Sequence, residues 1–214
     1  MVQLFAEAYR LRLLCALEDQ LSQCGYPRVA GVDEAGRGAL AGPVVAAAVI
    51  PDPSRRVPGV DDSKQVSAEG RDKLARAIRD SSLAWATCAI DPATIDQVNI
   101  LEATRLAMVG ALERLDPAPD VALVDAVVLR QPICPCLPVI RGDALSYAIA
   151  AASILAKTER DRQLVNLDRD YPHYGFASHK GYAAAAHRSA LGEFGPSPVH
   201  RLTFRSVLPQ REAS

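Results

Sequence analysis

The chain has 214 residues, of which 49% are apolar and 23% charged, and its formal net charge is −1. That balance fits a globular domain with a substantial core and excludes a disordered or collagen-like chain. It gives no global electrostatic footprint for nucleic acid, and no apolar run approaches the length of a membrane helix.

Leu4, Phe5, Ala8, Leu11, Leu14, Leu17 and Leu21 recur at helical spacing and predict an amphipathic helix over residues 3–23, ended by Gly25 and Pro27. Glu7, Arg10 and Arg12 interrupt its first apolar stretch, which argues against a secretory signal. Residues 28–32 and 44–50 read as strands joined by a glycine-rich turn, followed by a loop over 51–61 rich in proline and charge. Ser67 opens a helix through Leu74, Ala77 and Ile78, residues 83–90 form a third strand, and 99–115 is helical by period. Short strands follow at 121–128 and 137–140, then a long helix at 144–168 with Ala148, Ala150, Ala151 and Ala152 on its packing side. Beyond Tyr171 lie a loop rich in glycine and histidine, a helix near 182–191 and a turn at Gly195-Pro196-Ser197-Pro198. Early strands followed by strand–helix alternation predict a mixed α/β sheet.

The five cysteines, at 15, 24, 88, 134 and 136, are an odd number without the paired spacing of a zinc site. They read as reduced thiols filling the core of a cytoplasmic protein. Residues 141–205 carry nine Lys or Arg against six Asp or Glu, and all four histidines, a local excess that points to a cationic face. The spacing of His173, His179, His187 and His200 suits structural or phosphate-contact roles better than zinc ligation.

Four acidic residues sit inside or at the ends of apolar runs. Asp33 and Glu34 follow Val29-Ala30-Gly31-Val32, Asp125 interrupts the run 121–129, and Asp143 comes just after Val139-Ile140. A carboxylate so placed either pairs with a cation or neutralises itself. One such residue alone would be an ordinary strand end facing solvent. Four together, with few bases nearby in sequence, point to a shared Mg2+ or Mn2+, because these ions favour carboxylate oxygen. Gly36-Arg37-Gly38 follows the first pair directly, and its glycines let main-chain amides approach a ligand closely.

The string DEAGRGALAGPVV, from Asp33 to Val45, resembles the signature of the type 2 ribonucleases H, the ribonuclease HII family. Three further stretches are similar to that family's motifs, in its order: Asp62-Ser63-Lys64; Gly142-Asp143 with Ser146, Ile149 to Ile154 and Ala156-Lys157; and His179-Lys180-Gly181-Tyr182 with Gly195 to Arg201. The resemblance covers about residues 28–204. It implies a single domain over 1–214: a ribonuclease H-like mixed sheet flanked by helices, with a catalytic core at about 28–168 and a C-terminal helical, substrate-binding extension at about 169–205.

The resemblance also assigns roles. Asp33, Glu34, Asp125 and Asp143 would be catalytic and hold two divalent ions, Mg2+ or Mn2+. Asp33 would bridge, Glu34 and Asp125 would serve the leaving-group side, and Asp143 the nucleophile side. The implied substrates are RNA/DNA hybrids and duplex DNA containing a ribonucleotide, cut 5′ of the ribonucleotide to leave 5′-phosphate and 3′-hydroxyl ends. Gly36, Arg37 and Gly38 with Tyr182 would read the RNA-to-DNA junction, and Ser63, Lys64, Lys180 and Arg201 would contact the substrate. A monomer is expected. Two departures stand out. The family usually has glycine where this chain has Ala126, a change expected to be tolerated if φ there is negative. Ala183-Ala184 follows Tyr182 where Gly-Thr is common, which removes a hydroxyl able to contact phosphate. The related HIII group usually carries an additional N-terminal domain, whereas 32 residues precede Asp33 here. A non-catalytic hybrid binder would be expected to lack one of the carboxylates, and all four are present.

Overall fold

The computed structural model describes residues 2–61, 63 and 66–208. Two helices open the chain, α1 (Val2–Leu14) and α2 (Ala16–Gln23), where periodicity predicts one. The break is at Cys15, with φ −90° and ψ 3°. It lets α2 turn its own face toward the body, while Leu4, Phe5, Tyr9 and Leu13 of α1 stay exposed.

Five strands follow: β1 (Val29–Ala35), β2 (Val44–Pro51), β3 (Ser82–Ile90), β4 (Val121–Asp125) and β5 (Cys136–Val139). They form one sheet in the order β3-β2-β1-β4-β5. β1 runs antiparallel to β2 and parallel to β4, so the sheet is mixed, as predicted. β1 is longer than its apolar run, because Asp33 and Glu34 pair with Ala47 and Ala46 inside the ladder. β4 is shorter than expected and stops at Asp125, because the next residue leaves extended backbone.

Helices cover both faces. α4 (Pro92–Val98), which periodicity does not predict, leads into α5 (Ile100–Glu113), and Asn99 caps α5 by accepting from the amides of Leu101 and Glu102. Ala103, Ala107, Met108, Ala111 and Leu112 of α5 bury one face, against Val32, Val44, Ala46, Ala48 and Ile50. On the other face lie α3 (Ala68–Ser81) and the long α6 (Tyr147–Asp170), packed on Ala47 and Val49. The alanines of α6 let it lie almost on the sheet backbone. A Cβ on Gly31 would sit 2.0 Å from the carbonyl carbon of Ala148, so glycine is required there. At the start of α6, buried Glu18 of α2 accepts from the Ser146 hydroxyl (2.6 Å) and the Ala148 amide (2.7 Å), a carboxylate at a helix N-terminus.

The C-terminal segment adds the short α7 (Phe176–His179) and α8 (Ala185–Phe194). These pack with Leu164 of α6 into a satellite core of Leu40, Tyr174, Phe176, Leu191 and Val207. Cys15 and Cys88 are core filling as expected, whereas Cys24 is exposed and Cys134 and Cys136 are half-buried.

Candidate active site

Parallel pairing brings the first acidic residues together. Val32 pairs with Val124, so Asp33 and Asp125, the next residues, end up abreast at the C-terminal ends of neighbouring strands. Ligand sites of α/β sheets commonly open at that edge. Asp125 Oδ1 accepts from the Gly142 amide at 2.7 Å, which fastens the turn carrying Asp143 beside β4. Glu34 projects by strand alternation to the opposite side of the sheet edge from Asp33.

The electrostatics are those of crowded acids. Burial first, then the charges of Glu34 and Asp125, hold the Asp33 carboxyl well above the usual range. The Glu34 amide (2.7 Å) and the Ser153 hydroxyl counter this by hydrogen bonding to it. Burial raises Glu34 as well, offset by Arg37, whose Nη1 lies 3.3 Å from Oε1. The other carboxylate oxygen, Oε2, is buried without a partner among the described residues.

Among the described residues no three His, Cys, Asp or Glu side chains are drawn into a closed metal cluster. The all-oxygen donor set and the orphaned buried Glu34 oxygen nevertheless fit a hard divalent ion. Mg2+ in particular is usually held by one or two carboxylates with water and substrate phosphate completing its shell.

Next to the acids, the segment 36–43 is bolted down by two buried arginines. Arg160 of α6 donates to the carbonyls of Pro43 (3.0 Å), Ala41 (3.1 Å) and Lys180 (3.0 Å). Arg201 donates to the carbonyls of Gly42 and Arg37, each at 3.0 Å. Sequence reasoning puts Arg201 on the substrate. It is instead fully buried, and it supports the turn from behind. Arg160 was not anticipated, because an arginine in a long helix reads as solvated surface. The sign of it was Gly36: with φ +96°, a Cβ there would lie 1.9 Å from Arg160 Nε.

Tyr182 is 38% exposed and lies in the loop before α8, with the Arg160 guanidinium 5.2 Å from its ring centre and Lys157 Nζ at 5.6 Å. Its carbonyl closes a chain of hydrogen bonds. The Ser197 amide donates to His200 Nδ1 (2.9 Å), which leaves the His200 Nε2 proton for His187 Nε2 (2.9 Å) and the His187 Nδ1 proton for the Tyr182 carbonyl (2.8 Å). Both histidines are therefore neutral, and burial lowers both, His200 to about 4. Lys180 is half-buried and donates to the Ala177 carbonyl. Ser63 is buried against Ser153, hydroxyl to hydroxyl at 2.9 Å, one step from Asp33. Lys64 lies outside the described residues, as does Asp62 of the same motif.

Ala126 overturns the expectation of negative φ. Its φ is +47°, in the left-handed region where glycine is favoured, so the methyl is strained rather than neutral.

The family model described as "Ribonuclease HII" matches residues 30–207. A ribonuclease HII of Ruminiclostridium cellulolyticum is 49% identical over 198 residues, covering 92% of this chain and 78% of its own. The ribonuclease H2 of Pyrococcus horikoshii OT3 superposes with a TM-score of 0.73 at 29% identity, over 84% of this chain and 95% of that one. Bst-RNase HIII, solved in complex with Mn2+, shares the fold alone, at 20% identity and a TM-score of 0.62 over 84% of this chain and 68% of its own. Matched over the whole stretch that carries the paired acids, the bolted turn and Tyr182, this chain belongs to the ribonuclease HII family and is a ribonuclease H.

Proposed function

We propose that this endoribonuclease of RNA/DNA hybrids also cuts 5′ of a single ribonucleotide embedded in duplex DNA, leaving 5′-phosphate and 3′-hydroxyl ends. One observation carries the reading: Arg160 binds the segment after Gly36-Arg37-Gly38 and the Lys180 carbonyl at once, and lies under the Tyr182 ring. The candidate junction reader and the acidic residues are thereby held in one piece. A 2′-hydroxyl is the mark that separates a ribonucleotide from its neighbours, and main-chain groups at close range suit its recognition. Tyr182 offers its exposed ring to the sugar of the next nucleotide, where a deoxyribose packs without an extra oxygen.

Asp33, Glu34, Asp125 and Asp143 would hold two divalent ions, Mg2+ or Mn2+. When bound, such ions lower the pKa of water and offset the charge that develops on a leaving oxygen. The carboxylates keep the site anionic and oriented, the Ser63–Ser153 pair steadies Asp33, and Arg37 holds Glu34 in place. The neutral, buried His187 and His200 support Tyr182 and take no proton from the reaction.

The test is an end-labelled DNA duplex with one ribonucleotide, incubated with Mg2+ or Mn2+ and with EDTA. A metal-dependent cut immediately 5′ of the ribonucleotide is expected. Cutting of a long hybrid with the single-ribonucleotide duplex left intact would remove the junction reading. Tyr182→Ala should lower the preference for the embedded ribonucleotide by about tenfold, as loss of one stacking contact does; an unchanged preference would take Tyr182 out of the reader.

A further inference from the structure

We propose that a second site, a trough formed by α3, β3 and α6 on the flank of the catalytic site, binds an unpaired nucleic-acid strand. The trough encloses about 910 Å³ and is lined by six cationic and three anionic side chains. Asp161 is already engaged by Arg71 and Lys157, and Glu159 by Arg162. Arg76 and Arg169, on opposite walls, have no ion pair or hydrogen bond among the described residues. Asp72 is likewise without an ion pair among the described residues, and set against Arg76, Arg169 and Lys180 it leaves the uncompensated charge of the trough positive.

Two buried groups in the same trough also lack partners among the described residues: Arg79 Nε and Thr158 Oγ1. On the β3 side Trp85 is 41% exposed, with the Arg79 guanidinium 5.0 Å from its ring centre. An exposed aromatic between cationic walls is how proteins hold single strands: bases stack on the ring and phosphates meet the arginines. Along α6 the lining runs from Thr158 to Arg169, roughly 16 Å, the scale of a site of ~4 nucleotides.

The trough adjoins the catalytic site. Lys180 lines it, and Lys157 and Asp161 of α6 continue the line of Ser153 toward it. A single-stranded tail next to a ribonucleotide-bearing duplex could thus occupy the trough while the duplex meets the acids. Only this link to a tailed substrate rests on the proposed activity.

Trp85 is the sole tryptophan, so its fluorescence reports on the trough alone. The experiment titrates the wild-type protein with a thymidine oligomer of about twelve nucleotides, long enough to span such a site. Saturable quenching is expected, weakened roughly tenfold between ~50 and ~200 mM salt. The double variant Arg76→Glu, Arg169→Glu should bind the oligomer about tenfold more weakly. It should cut a blunt ribonucleotide-containing duplex at the wild-type rate. Absence of saturable quenching would overturn the proposal, as would equal quenching by a blunt DNA duplex, or displacement of the oligomer by poly-glutamate at equal charge. Because the oligomer contains no ribonucleotide, the outcome does not depend on cleavage. A protein that cuts the duplex but ignores the oligomer keeps its proposed activity and loses this site; one that binds the oligomer but cuts nothing does the reverse.

Discussion

Asp33 shows at the level of one side chain how function and stability oppose each other here. Its carboxyl is buried beside two others and is held well above its ordinary range, so its ionised form weakens the fold at neutral pH. Asp33→Asn should therefore raise the melting temperature in EDTA, while lowering cleavage by about three orders of magnitude and leaving substrate binding in place. Calorimetry beside the cleavage assay checks both; a variant that cuts well with Mg2+ would remove Asp33 from the ligand set. Ala126 makes the complementary point. At φ +47° its methyl costs about 1 kcal/mol, so Ala126→Gly should stabilise the protein by a similar amount in urea unfolding. The acids were legible in the sequence because a carboxylate in an apolar run has few explanations. The strain at Ala126 was not, because a dihedral angle has no mark in a residue name.

Among the elements, α6 is the organising piece. Its alanines set its distance from β1, Ser153 reaches Asp33, and Arg160 fixes the turn and underlies Tyr182. The alanine run disclosed the packing face from sequence. Arg160 stayed hidden, because its partners are carbonyls at 41, 43 and 180, which no side-chain pattern records. The helix break at Cys15 was equally silent, since the leucine spacing continues through it. Arg160→Lys should separate these roles: an ammonium cannot reproduce the planar fork toward three carbonyls. A loss of about 2–3 kcal/mol in unfolding free energy and a fall in cleavage at saturating metal are expected. If stability dropped with cleavage intact, Arg160 would be a core residue without bearing on the site.

At the scale of the whole molecule, the C-terminal segment is held together internally through groups sensitive to acid. His200 titrates near 4 in the folded chain against 6.5 ordinarily, so the unfolded chain binds more protons between those values. The stability it contributes is present above about pH 6.5 and is lost as pH falls through about 4. Protonation also breaks the run of bonds from Ser197 to Tyr182, because the imidazolium has no acceptor nitrogen to offer. His200→Asn should be less stable than the wild type at neutral pH, with the difference in melting temperature shrinking toward pH 4. A difference that stayed constant over that range would show that His200 does not titrate with unfolding.

The arginine stitches have a further consequence, in the order of synthesis. The ribosome makes the acidic pair at residues 33 and 34 early, but the turn beside it is fastened by groups that come much later, the side chains of Arg160 and Arg201 and the carbonyls of Gly181 and Val199. A nascent chain thus lacks these fasteners until residues 160 and beyond have been made, and a fragment ending before Arg201 lacks the clasp. The turn beside the acids is thus complete only once the C-terminal segment has been made and folded onto it.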